Sequence, residues 1–241
     1  MRFWEIDALR GIAIIMMIIF HTLVDLDFFG ILEVPQNTWQ WQTWNTLIGG
    51  MFLVLVGISL TISFQRAQKK LSKKQLTQKY IKRGLAIFGY GLVITFLTYL
   101  TIGNAFILFG ILHLIGISII VSIPFLFLLF KKESPSLLSG FYPLAALSFL
   151  LFLIPTFRIK SSYLIPLGYP SFSFQSLDYY PLIPWYGVVI FGVALGSILY
   201  TNEKRLFTFS LPTIETTKIS YILQWLGKRS LVIYLLHQPV I

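Results

Sequence analysis

Cysteine is missing from all 241 residues. Disulfides and thiolate metal sites are therefore excluded, and the chain carries no mark of its redox compartment. Charge is scarce as well. Asp, Glu, Lys and Arg make up only 12% of the residues, against about 25% in an average soluble domain. There is no hydrophilic domain, linker or low-complexity tract, and no repeat of 20–50 residues. Histidine occurs three times, with no two at i, i+4 spacing and no carboxylate cluster beside them in sequence, so a metal site is not expected.

What the chain has in excess is apolar surface: 56% of residues are hydrophobic and mean hydropathy is +0.78. A soluble fold of this length could not hide so much of it. The class is an all-α polytopic integral-membrane helical bundle, read as one transmembrane domain over 1–241. Runs long enough to cross a bilayer fall near 8–25, 46–65, 82–101, 104–130, 136–155, 183–200 and 217–239. That makes about seven spans, the last weakened by Lys228 and Arg229. Glu5, Asp7 and the lack of a small-residue cleavage site argue that the first run is retained rather than removed as a signal peptide.

A net charge of +10 could suggest nucleic acid, but its distribution follows the positive-inside rule. The 66–83 connection holds eight Lys and Arg (Arg66, Lys69, Lys70, Lys73, Lys74, Lys79, Lys82, Arg83) and no acid, which places it in the cytoplasm. Alternation then puts the N-terminus, the Lys131–Lys132 turn and the 201–218 loop inside. The 26–45 and 156–182 segments fall outside, and all Lys and Arg except Arg158 and Lys160 share one side. Trp39, Trp41, Trp44 and Trp185 sit at outer interfaces, as aromatic belts do. An odd number of spans leaves the C-terminus outside. The many glycines from 84 to 196 read as points of close helix packing.

Ionisable residues inside a span are costly and mark function by default. On the first span Arg10 and His21 are three helical turns apart, about 20° around the axis and roughly 16 Å along it. Asp7 shares their stripe. His21 lies just past the midplane, and His113 about 14 Å down the fourth span from its outer end; His237 is near the outer end of the last. An imidazole at such a depth can be a general base, since its pKa lies near neutrality. It can equally be a hydrogen-bonded interhelical contact, and both readings stay open for His113 and His237. Lys79, Lys82 and Arg83, at the mouth of the third span, can anchor anionic lipid or receive a polyphosphate.

These residues resemble a known family. FWEIDALRGIAIIMMIIFH at 3–21 looks like the opening of the heparan-α-glucosaminide N-acetyltransferase catalytic family and its short prokaryotic relatives. Its Arg-x10-His spacing is also similar to helix one of the acyltransferase-3 group. The Trp44-Asn45 stretch ending in Gly57-Ile58-Ser59, FGILHLIG at 109–116, DYYPLIPWYGVVIFGVALG at 178–196 and LGKRSLVIYLLHQP at 226–239 follow in family order. The resemblance implies an enzyme of a prokaryotic cytoplasmic membrane. It would move an acetyl or acyl group from cytosolic acyl-CoA to an amino sugar or glycan amine or hydroxyl on the opposite face. His21, Arg10, Asp7 and His113 would form the catalytic set, and Arg10, Lys79, Lys82 and Arg83 would hold CoA. Trp44, Asn45, Asp178 and His237 would line the acceptor pocket, and a homodimer is left open. Acetyl-CoA is a co-substrate, with no metal and no nucleic-acid partner. In the lysosomal members the histidine regarded as catalytic precedes the Trp-Asn pair; here Trp41 stands at that place, and His21 stands where those enzymes have asparagine. A small proton-coupled transporter or a non-catalytic membrane assembly subunit are the alternatives.

Overall fold

Five helices are long and apolar enough to cross a bilayer in the computed structural model, which describes residues 3–130, 141–201, 204–206 and 217–240. They are α1 (Trp4–Phe28), α2 (Trp39–Gln68), α3 (Lys73–Ile102), α4 (Ile111–Leu129) and, after the shorter α5 (Tyr142–Leu153), α6 (Leu182–Leu199). The chain ends in α7 (Lys218–Lys228) and α8 (Ser230–Val240). Single 3-10 turns at Gly103–Ala105 and Ile165–Leu167 and a two-residue antiparallel pair, Tyr200–Thr201 with Lys204–Arg205, complete the described elements. The Lys131–Lys132 turn, the first residues of the 136–155 run and most of the 201–218 loop lie outside the described residues.

Local signals explain the main boundaries. Ser72 and Gln75 form a reciprocal capping box at the start of α3, each side chain accepting from the other's backbone N–H. Thr217 caps α7 by accepting from the Ser220 N–H at 3.1 Å. The fourth span starts at Ile111 rather than near 104, because residues 103–110 form a 3-10 turn and an extended approach.

The 217–239 run departs from the sequence expectation. It is two eleven-residue helices broken at Arg229, whose guanidinium lies over the Trp225 ring with Cζ 4.4 Å from the centroid. Two consecutive cations make continuation through lipid costly. The count of about seven continuous spans is therefore not reached among the described residues.

Two compact units divide the chain: residues 1–55 with 208–241, and residues 56–207. In the first, α7 packs along α1 at backbone contact. Gly227 meets the Asp7 carbonyl, and Gly11 meets the carbonyl of Leu223, leaving neither glycine room for a Cβ. Advancing four residues on α1 retreats four on α7, so the two helices are antiparallel. Small residues permit this approach, which is how helices associate where no hydrophobic force distinguishes protein from lipid. The amphipathicity of α7 is inverted. Ser220, Gln224 and Gly227 are buried, with Gln224 Nε2 donating to Ser220 Oγ at 3.1 Å, while Ile219, Tyr221, Ile222 and Trp225 are exposed. On α1 the exposed stripe is Leu9, Ile12, Ile15 and Ile19, all apolar; Asp7 and Gly11 are buried. Ile14, Met17, Phe20 and Ile48 form the core of this unit, with Ile233 and Tyr234 of α8 and Trp41 and Trp44 of α2 packed against it.

In the second unit, α3 and α4 meet at Gly84 and Gly116, each facing the other's carbonyl. Gly57 of α2 lies against the Val189 carbonyl of α6, and α5 packs beside α6. Several buried polar groups here are paired between elements distant in sequence. Thr61 Oγ1 is 3.2 Å from the Val193 carbonyl, Gln65 Nε2 donates to the Tyr200 carbonyl at 2.8 Å, and the Ser63 and Tyr80 hydroxyls are 2.9 Å apart.

The backbone contact between α1 and α7 is testable. Gly227→Ala must displace a carbonyl and should destabilise the protein by about 1–3 kcal/mol. Gly89→Ala, where a Cβ meets nothing within 4 Å, should be neutral or slightly stabilising. Thermal unfolding of both variants in detergent measures this, and equal shifts would contradict the crossing.

Candidate functional site

The unbroken α1 carries both halves of the polar stripe. Near its start, Arg10 Nη1 donates to Asp7 Oδ1 at 2.9 Å. The i, i+3 spacing makes the two side chains neighbours on one face. Asp7 is 5% exposed, and its second oxygen, Oδ2, is buried with no hydrogen-bond partner among the described residues. A buried carboxylate oxygen without a donor costs free energy, and such exceptions need a reason.

Three turns along, His21 meets His237 of α8, ring centroids 4.9 Å apart and planes at 57°. His237 Nδ1 is 2.7 Å from the Tyr234 carbonyl. A carbonyl only accepts, so Nδ1 carries the hydrogen and Nε2 is left as a bare lone pair. That Nε2 is buried and has no hydrogen-bond partner among the described residues. Asp25, one turn beyond His21, is within electrostatic reach of His237. Its i, i+4 relation to His21 is visible in the sequence. An aromatic wall adjoins the pair: Phe20 lies edge-on to His21 at 5.7 Å, stacks on Trp41 at 4.5 Å and meets Trp44 at 5.9 Å. Asn45, next to Trp44, is exposed. The structure thus brings together His21, His237 and Trp44 among the expected site residues, with Arg10 and Asp7 on the same helix.

His113 and Asp178 belong to the second unit and share the start of α4. His113 is 2% exposed. Its Nδ1 accepts from the Gly110 N–H at 3.2 Å, so Nε2 carries the proton and faces Thr95 Oγ1 at 3.4 Å. Thr95 in turn donates to the Ile107 carbonyl at 2.6 Å. Phe109 stacks on the ring, Phe88 meets it edge-on, and Gly91 leaves the space it occupies. Both nitrogens are engaged, as in a structural interhelical contact. Asp178 Oδ2 accepts from the Ile111 N–H at 3.0 Å, capping α4, while the Tyr180 N–H donates to the Phe109 carbonyl. Burial pushes the Asp178 carboxyl up to about 6, against the pull of the Ile111 bond.

Lys79, Lys82 and Arg83 are exposed on α3. A cavity of about 350 Å³ lies under the 156–185 stretch, lined by Phe157, Arg158, Tyr179 and Trp185 among others. Arg158 Nη1 lies 3.0–3.4 Å from the carbonyls of Ser171, Phe172 and Phe174, tying that stretch together. Among the described residues no three His, Asp or Glu side chains converge to hold a metal ion.

Asp178 generates a pH prediction. A carboxyl held at about 6 in the fold, against an ordinary 3.8, binds its proton more tightly folded than unfolded. Its contribution is complete below the lower value and is lost as pH rises through the upper one. Asp178→Asn keeps an oxygen for the Ile111 N–H. Its melting temperature relative to wild type should therefore rise between pH 4 and pH 6.5, and a constant difference across that window would contradict the assignment.

No curated protein matches the chain. A family does: residues 2–239 match heparan-alpha-glucosaminide N-acetyltransferase, catalytic. The five long apolar helices suit a membrane enzyme of that kind. With nearly its whole length covered, the chain belongs to the heparan-alpha-glucosaminide N-acetyltransferase catalytic family.

Proposed function

We propose that this membrane acetyltransferase takes its acetyl group from cytosolic acetyl-CoA and passes it to an amine or hydroxyl of an amino sugar or glycan at the opposite face, with His21 as base or nucleophile. The observation that carries this is the single helix α1, which holds the Asp7–Arg10 pair near one end and the His21–His237 pair three turns on. The separation of about 16 Å along the axis is comparable to an extended pantetheine arm.

Arg10, held by Asp7, steadies the thioester arm of CoA. The acceptor enters against Trp41, Trp44 and Asn45. Its attacking nitrogen or oxygen forms the bond to the thioester carbonyl carbon, His21 takes the proton, and the thiolate leaves. His113 serves as scaffold, since both of its nitrogens are committed, and Asp178 holds the start of α4 for the same unit. The N-terminus faces the cytoplasm, a reading that the basic 66–83 stretch supports. In this orientation α8 ends in the outer half of the membrane, beside His21.

The direct test is transfer from labelled acetyl-CoA to glucosamine by purified protein in micelles. His21→Ala should lower the rate by about 10²–10⁴-fold, the usual range for a lost general base. Wild-type activity in the variant would remove His21 from the chemistry.

A further inference from the structure

His237 Nε2 is a fully buried nitrogen with no hydrogen-bond partner among the described residues, and the His237 ring lies 4.9 Å, centroid to centroid, from that of His21. Three features meet there. The Tyr234 carbonyl fixes the His237 tautomer with the hydrogen on Nδ1, so that Nε2 can only accept. The residue is 8% exposed, so bulk water does not compete for that lone pair. Asp25 acts electrostatically on the same ring, a charge suited to a cation formed there. An unpaired acceptor at this burial is costly to maintain as mere packing.

We propose that His237 is a proton relay for His21, taking from its far side the proton that acetyl transfer releases. The proposal rests on the acetyltransfer reading above, in the form where His21 acts as base. As the acceptor N–H or O–H attacks the thioester carbonyl, its proton passes to one nitrogen of His21. The hydrogen on the other His21 nitrogen passes to His237 Nε2. His21 thus exchanges tautomers and stays neutral, and the positive charge forms on His237, within electrostatic reach of Asp25. The C–S bond breaks, and the departing thiolate takes the proton back along the same path, so both rings return to their starting state. No hydrogen bond joins the rings at rest; a rotation of either ring or one bridging water closes the remaining gap, since the centroids are 4.9 Å apart.

His237 acts through His21, so its test must separate relay from support. His237→Gln fills the space but offers no nitrogen that can bind a proton. We expect kcat for acetyl transfer to glucosamine to fall about 10²-fold, with acetyl-CoA affinity by calorimetry unchanged within twofold. The smaller His237→Ala should be equally slow and should recover at least tenfold on addition of imidazole to the buffer. Wild-type kcat in His237→Gln, with His21→Ala inactive, overturns the relay and leaves the acetyltransfer reading standing. Loss of acetyl-CoA binding in step with activity, or His237→Ala that imidazole does not rescue, overturns it in favour of a structural role. A wild-type protein that transfers no acetyl group fails the underlying reading itself and takes the relay with it.

Discussion

Covering the polar face of α1 is the constraint on which the first unit depends. A helix that carries Asp7 and Arg10 into lipid needs a neighbour close enough to shield them, and α7 supplies it by touching backbone to backbone at Gly11 and Gly227. That contact turns the apolar stripe Leu9, Ile12, Ile15 and Ile19 outward and the buried Asp7 inward. It also accounts for the inverted character of α7, whose Ser220 and Gln224 are hidden while its large apolar residues are exposed. In water the arrangement would be inside out; against acyl chains it is the favourable one.

The break at Arg229 then gives the chain its second approach to α1. α8 brings Ile233 and Tyr234 onto the Ile14, Met17 and Phe20 core and ends with His237 beside His21. One helix therefore meets two different partners along its length: a small, polar face where Asp7 lies, and an aromatic and imidazole-bearing one where His21 lies. The two histidines differ in kind from His113, whose nitrogens are both committed to holding the start of α4. Identical side chains thus meet different hydrogen-bond surroundings.

The first helix was legible in the sequence, because its apolar run is long and its polar residues recur at helical spacing. The Asp7–Arg10 pair followed from the same periodicity. Membership of the acetyltransferase family was legible too, since five motifs in order need no three-dimensional information. The last segment was not. Hydropathy averages over Lys228 and Arg229 and cannot tell one interrupted span from two short helices, and its inverted amphipathicity became evident only when α1 was found against it. The contact of His21 with His237 joins opposite ends of the chain, and no local pattern reports such a pairing. Asp25 stands at i+4 from His21, but it lies where the apolar run gives way to a loop, and its relation to His237 is not local in sequence.

The central claim is that the acetyl group reaches the imidazole of His21. A density map of the protein in lipid nanodiscs with a non-hydrolysable acetyl-CoA analogue bound tests it most directly. The account predicts the analogue's acyl carbonyl within hydrogen-bond distance of the His21 ring, with Arg10 against the arm that carries it. An acyl carbonyl seated instead at His113 and Asp178, or a His21 ring facing lipid with no path to the analogue, would contradict it.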